Sequence, residues 1–223
     1  MMILYGFEIK GAAVKIGIAG SGNVGGTLGS RWAAAGHQVA FGSRNPGSAD
    51  MLELAAKAGV NARAASLAEA VASADVVLVS TPWPATPAAL ETAGSFAGKI
   101  VIDATNPLMP RLEGLEFANT TSGAEQLSSW VPGARVVKAF NTVGFGVMAN
   151  PKFGDRAASL PYCGDDAEAK RVVHGLAEEL GFEPFDAGPL RQARVLEPFA
   201  LLWISLAMVH GYGRDIAFQL MRR

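Results

Sequence analysis

The sequence predicts an α/β fold, a doubly wound parallel sheet with a small C-terminal α/β to helical appendage, and three observations lead there. Short β-rich runs alternate with Ala-rich stretches of helical character, the pattern in which parallel strands are joined by crossover helices. The strand candidates are nearly continuous in apolar residues, as strands buried on both faces must be. After Phe140 the texture changes, with Gly144, Gly146 and Pro151 interrupting the alternation before a further strand, helix and strand.

In chain order, strands are expected over residues 14–19, 38–41, 76–80, 100–103 and 136–140, each ending in polar or Gly/Pro residues. Helices are expected over 24–35, 48–58, 67–72 and 87–97, where Ala, Leu and Glu dominate. Ser66 is an N-cap candidate with Glu69 at capping-box spacing. A sixth strand over 160–163 precedes a helix over 166–180. There Val173, Leu176, Ala177 and Leu180 form an apolar stripe that Gly181 closes. Residues 182–186 read as a last strand, and 194–221 as terminal helical material broken near Gly211 and Gly213.

The bulk composition excludes several functions. Over 223 residues, 19 Lys and Arg face 20 Asp and Glu, so the formal charge of −1 gives no global field for DNA, RNA or anionic lipid. Cys163 is the single cysteine; its apolar strand context reads as a small core residue, and its isolation points to a reducing, cytoplasmic setting. The opening residues 1–10 lack the basic region and cleavage signal of a secretory leader. The longest apolar run, residues 199–209, is about half the roughly 20 residues a membrane span needs. It is expected to be an internal helix or part of a homodimer interface. His37, His174 and His210 are scattered, with no metal-ligand spacing, and no Ser/His/Asp set announces itself, so no metal is expected.

The chemistry concentrates at strand exits. The first strand runs straight into Gly20-Ser21-Gly22-Asn23-Val24-Gly25 at the head of a helix. Gly20 permits the tight turn, Gly22 removes the side chain that would block an approaching pyrophosphate, and Gly25 lets helix and strand pack closely. This is the fingerprint of a Rossmann-type dinucleotide site, although packing alone also produces glycine-rich turns. About 20 residues after the first glycine, NAD proteins place Asp or Glu on the ribose hydroxyls. This chain instead has Ser43-Arg44-Asn45, where hydroxyl and guanidinium donors suit a 2′-phosphate, so NADP(H) is favoured. An arginine that merely caps a strand end in solvent is the plainer reading. The organisation is then an extension over 1–13, an NADP(H)-binding domain over 14–150, and a small C-terminal segment over 151–223.

Two further loops, Ser80-Thr81-Pro82-Trp83-Pro84 and Asp103-Ala104-Thr105-Asn106-Pro107, follow buried strands and should line the cleft. Thr81 and Asn106 are candidates to hydrogen-bond ribose or carboxamide, and Trp83 to wall a planar ring. Turn-making by Pro and Asn explains either loop equally well. At the fifth strand exit, Asn141 and Thr142 are expected beside the nicotinamide. Lys138 invites a proton-donor reading, against which a strand lysine more often snorkels or pairs. Val143, Pro189, Leu190 and Leu196 are candidates to complete a ring-stacking cleft with Trp83.

These motifs, with Lys138-Ala139-Phe140-Asn141-Thr142, resemble the family of NADP-dependent oxidoreductases that exchange hydride with the deazaflavin coenzyme F420, along most of residues 14–223. The glycine turn and the Ser43-Arg44 segment are also similar to the nucleotide-binding domain of STEAP-type metalloreductases. The resemblance implies that Ser43 and Arg44 hold the 2′-phosphate and that Thr81, Asn106 and the Ala139-Phe140-Asn141 turn flank the nicotinamide. It implies hydride transfer to a flat ring by positioning, without a catalytic side chain, with F420 or a flavin as the second substrate. Where F420 enzymes tend to carry histidine-containing loops, this chain has Asn141-Thr142-Val143-Gly144. Competing readings are an imine, hydroxy-acid or flavin/ferric reductase, and a non-catalytic NADP(H) sensor.

Overall fold

The computed structural model describes residues 13–117 and 119–223, so the reading of residues 1–10 falls outside the described residues. Strand β1 (Lys15–Ala19) leads through the glycine turn into helix α1 (Asn23–Ala34). Next come β2 (Gln38–Ser43), α2 (Ala49–Ala58), β3 (Ala62–Ser66), α3 (Leu67–Ala72), β4 (Val76–Val79), α4 (Thr86–Thr92) and β5 (Ile100–Asp103). After α5 (Gly123–Trp130), β6 (Arg135–Lys138) and α6 (Phe145–Ala149), a short hairpin pairs β7 (Lys152–Phe153) with β8 (Arg156–Ala157). The chain ends in β9 (Ser159–Gly164), α7 (Ala167–Glu179), β10 (Glu183–Asp186) and α8 (Ala193–Met208), followed by a tail without helix or strand.

One eight-stranded sheet carries the order β10-β9-β6-β5-β4-β1-β2-β3. Its parallel part reads 3-2-1-4-5-6, the doubly wound order, with β1 and β4 adjacent where the winding reverses. β9 joins β6 antiparallel, and β10 runs parallel to β9, so the C-terminal segment extends the same sheet. Alternation along each strand divides the core between the two faces. Ile16, Ile18, Val76, Leu78, Ile100 and Ile102 pack in one cluster; Ala19, Val77, Val79 and Val101 face the other.

The expected elements recur with shifted ends and several additions. The capping box forms as read, with Ser66 Oγ accepting from Glu69 N and the Glu69 carboxylate accepting from Ser66 N. β3 (Ala-Arg-Ala-Ala-Ser) escaped the sequence reading because alanine has weak strand preference; pairing along β2 creates it and lengthens β2 to Ser43. α4 stops at Thr92, short of the expected residue 97, where Gly94 turns left-handed at φ +88°. β6 stops at Lys138 because Phe140 adopts φ +65°, outside strand geometry. α5 and α6 were not anticipated, although Ser122 and Glu125 carry the S-x-x-E spacing that caps α5. The terminal helical material, expected to break near Gly211 and Gly213, ends at Met208; the two glycines sit at φ +76° and +77°, no helix follows them, and the tail returns to β9. There Ser159 N donates to Phe218 O at 3.1 Å and Leu220 N to Ser159 Oγ at 2.9 Å.

Candidate functional site

The glycine turn has the geometry its spacing requires. Gly20 stands at φ +107°, and a Cβ there would lie 2.6 Å from Thr81 N. A Cβ on Gly25 would strike the Gly20 carbonyl oxygen and come within 2.7 Å of Ile18. Both positions are closed to any side chain. Gly22 differs: nothing lies within 4 Å of a Cβ there, so its exposed face opens outward at the N-cap of α1. No side chain caps α1 and no acid occupies its first turn, leaving main-chain N–H groups and the positive end of the helix free for an anion. Ser21 Oγ donates to Gly42 O at 3.1 Å and Ser80 Oγ to Gly20 O at 2.8 Å, tying the turn to the exits of β2 and β4.

At the β2 exit Ser43 is half-buried, whereas Arg44 and Asn45 are exposed. Asn45 N donates to Ser43 Oγ at 3.1 Å, a tight local turn just after β2. Among the described residues Arg44 enters no ion pair, so its guanidinium is uncommitted.

The β4 exit places Thr81 against Gly20 and leaves Pro82 exposed. Thr81 Oγ1 lies 2.8 Å from Thr86 Oγ1 at the start of α4. Trp83, expected as an open wall for a planar ring, is instead turned inward. Its indole is 6% exposed, tilts against Trp130 at 5.2 Å, meets Phe117 edge-on at 5.9 Å and donates to Glu116 at 2.8 Å. A buried indole needs both apolar neighbours and a partner for its N–H, and the loop after β5 supplies Phe117 and Glu116.

The exits of β5 and β6 are tied together through buried polar groups. Asn106 Nδ2 donates to Asn141 O at 3.0 Å, and Asn141 Nδ2 donates to Asn106 Oδ1 at 3.1 Å and Leu196 O at 3.2 Å. Phe140, left-handed and fully buried, packs edge-on against Trp32 and Phe182, so aromatic packing holds the strained turn. Among the described residues two buried side-chain polar atoms have no partner, Asn141 Oδ1 and Thr142 Oγ1, and they are neighbours. Buried acceptors and hydroxyls are seldom left unpaired without a reason. Of the expected cleft residues, Leu196 stands beside Asn141 and Val143 is buried in the same turn. Leu190 points into the core beside Cys163, and Pro189 is exposed. Trp203 closes the turn from α8: a Cβ on Gly144 would lie 2.5 Å from its ring, and its indole N–H donates to Ile216 O of the tail at 2.8 Å.

Lys138 pairs, the second of the two sequence readings. Its ammonium is fully buried and donates to Asp103 Oδ2 at 2.8 Å and Thr105 O at 2.6 Å, with Glu197 Oε1 at 2.9 Å. Its three N–H groups therefore have three acceptors, and none remains for a substrate. Burial pulls its pKa down, but the two carboxylates outweigh this and hold the ammonium above its ordinary value. Glu197 also accepts from Gly123 N at 2.9 Å and Ala124 N at 3.0 Å, the first residues of α5. Sequence reasoning passed over Glu197. The available signals were a carboxylate inside an otherwise apolar helix and a strand lysine that needed a partner.

The remaining titratable candidates serve the scaffold. His37 Nδ1 accepts from Val14 N at 3.0 Å and Nε2 meets Glu179 at 2.6 Å, joining the start of β1 to α7. His174 contacts the Tyr162 hydroxyl, and His210 is exposed. Cys163 lies buried, its thiol pushed up to about 12 by desolvation, as an inert core cysteine would be.

The fold and its strand-exit loops define an NADP-dependent oxidoreductase of the doubly wound class. Residues 15–107 match the family model "NADP oxidoreductase coenzyme F420-dependent". The chain is 30% identical over 212 residues to the F420-dependent NADP reductase of Methanothermobacter thermautotrophicus, covering 89% of this chain and 91% of that protein. It is 35% identical over 198 residues to the metalloreductase STEAP3 of Rattus norvegicus, across 87% of this chain but only 38% of that longer protein. A crystal structure from Arthrobacter sp. FB24, provisionally named an F420-dependent NADP reductase, superposes with a TM-score of 0.84 at 32% identity, over 94% of this chain and all of the other. The protein belongs to the F420-dependent NADP reductase family. Among the described residues no helix is long and apolar enough to cross a membrane.

Proposed function

We propose that this protein binds NADP(H) across the exits of β1, β2, β4, β5 and β6 and passes hydride between it and a flat ring acceptor, coenzyme F420. The observation that carries the coenzyme reading is the unpaired Arg44 guanidinium next to the Ser43 hydroxyl, which accepts from Asn45 N and keeps its own proton to donate, after a strand exit with no acid to hold a ribose hydroxyl. The diphosphate is received by the main-chain N–H groups of Ser21, Gly22, Asn23 and Val24, whose approach Gly20 and Gly22 leave open. Ser43, Arg44 and Asn45 hold the 2′-phosphate, with the guanidinium supplying charge-assisted hydrogen bonds. Thr81, Pro82 and Trp83 shape the middle of the cleft, Trp83 from beneath the loop.

At the far end, Asn106, Ala139, Asn141 and Thr142 receive the nicotinamide. The unpartnered Asn141 Oδ1 is an acceptor suited to the carboxamide N–H, and Thr142 Oγ1 can donate to its oxygen. When bound, the coenzyme supplies the hydride chemistry; the protein orients it and excludes water, so no catalytic side chain is assigned. The acceptor assignment rests on the family and on the two relatives that carry the F420 name, and a cytoplasmic setting on the same kinship. The nearly charge-free outer face of α8, with Val195, Leu202 and Met208 exposed, supports a homodimer formed through that helix.

Coenzyme titration and an acceptor screen test the reading. NADPH should bind at least about tenfold tighter than NADH, and NADPH oxidation should proceed with F420 in preference to free flavin or ferric chelate. Turnover with flavin or ferric chelate alone would replace the acceptor, and tight binding without turnover would make the protein a sensor.

A further inference from the structure

The Lys138 network contains two carboxylates and one ammonium, all buried, directly behind the turn that receives the nicotinamide. Asp103 is the register partner of Lys138 across β5 and β6, and Lys138 immediately precedes Ala139. Glu197 follows Leu196, whose carbonyl accepts from Asn141, and Thr105 precedes Asn106, which exchanges hydrogen bonds with Asn141. The network and the turn share a backbone on three sides.

The charge state follows from the hydrogen bonds. Asp103 Oδ1 accepts from Thr105 N at 2.9 Å and Thr105 Oγ1 at 2.7 Å, and Oδ2 accepts from Lys138. Glu197 Oε2 accepts from Gly123 N, and Oε1 from Ala124 N and Lys138. Every neighbour of the Glu197 oxygens is an N–H donor, so a proton there would have no acceptor to face, and Asp103 receives two N–H donors and the Thr105 hydroxyl. These donor sets fit two carboxylates around one ammonium. Among the described residues Lys138 is the one cation they pair with, so the cluster carries a formal charge of −1.

We propose that this buried excess negative charge makes the site discriminate between the two oxidation states of its coenzyme, favouring NADP+, whose nicotinamide ring is cationic, over NADPH, whose ring is neutral. Glu197 supplies the excess charge. It acts through the turn and touches neither coenzyme nor acceptor, so it is a positioning residue with an electrostatic role. Tighter holding of the oxidised form makes bound NADPH the stronger hydride donor, and places the enzyme where reduction of the acceptor by NADPH is assisted. The inference rests on the coenzyme reading of the preceding subsection.

The test measures dissociation constants for NADP+ and NADPH separately, in the wild type and in Glu197→Gln, which keeps the shape and removes the charge. The ratio Kd(NADPH)/Kd(NADP+) should fall about five- to tenfold in the variant, the size expected for a unit charge acting through a partly polar interior. A purely structural Glu197 would weaken both forms by the same factor and leave the ratio unchanged, which would overturn the proposal. If Glu197→Gln does not fold, Asp103→Asn removes the same unit of charge and must shift the ratio in the same direction. Failure of both to fold would assign the pair to stability alone and overturn the proposal equally. Wild-type protein that binds neither form would instead remove the coenzyme reading itself, a result distinct from an unchanged ratio.

Discussion

The two ends of the cleft are built by different means. At the glycine turn the working parts are mostly backbone: Ser21 and Ser80 tie carbonyls of β2 and of the turn together, while glycines clear the space. At the exits of β5 and β6 the parts are side chains gathered from four segments, with Glu197 on α8 reaching α5, β6 and, through Lys138, β5. Backbone anion sites tolerate water and need only the right absences. A buried ionic network needs every partner present, because each unpaired charge in the interior costs several kcal/mol.

Substitutions can break that comparison or sharpen it. The largest effect is expected at Lys138→Met, which leaves two carboxylates buried without their cation and should lower the unfolding free energy by about 3–5 kcal/mol in chemical denaturation. A loss below about 1 kcal/mol would mean that the network is wet and loosely coupled. Gly22→Ala is the counterpart at the other end. Its φ of −77° suits alanine and its Cβ meets nothing, so the melting temperature should hold while NADPH affinity drops about tenfold or more. Unchanged binding would move the diphosphate elsewhere.

The smallest effect concerns pH. The hydrogen bond from Arg194, with help from Ser122, holds the Glu125 carboxyl below its ordinary 4.5. A depressed folded-state value contributes stability that is present above 4.5 and is lost as the pH falls through the lower folded value. Arg194→Ala should therefore lower stability slightly at neutral pH and flatten the acid side of the profile, the two proteins converging once the pH has fallen through the folded value; a steeper acid limb would contradict the sign.

How much could be read from sequence follows the same division. The geometry of the glycine turn was legible because its spacing is a local pattern between strand and helix, although the atoms that close in on Gly20 belong to Ser80 and Thr81. Most strands of the parallel sheet were legible because buried parallel strands announce themselves as apolar runs. β3 was not, since alanines become a strand only when β2 offers them a partner. Trp83 was legible as an aromatic at a strand exit, but the direction of its ring depends on Phe117, Trp130 and Glu116, which no local pattern links to it. Lys138 was recognised as anomalous, yet its partners Asp103 and Glu197 are brought to it only by the pairing of β5 with β6 and by the placement of α8. The break at Gly211 and Gly213 was legible, but the path after it was not: the composition stays helical to residue 221, whereas the bonds to Ser159 draw the tail back to β9.

The central claim, that Ser43 and Arg44 await a 2′-phosphate, is tested most directly by calorimetric titration of wild type and Arg44→Ala with NADPH and with NADH. Loss of charge-assisted hydrogen bonds worth about 1.5–3 kcal/mol should weaken NADPH roughly 10- to 100-fold and leave NADH within about twofold. Equal losses for both coenzymes, or none for either, would contradict it.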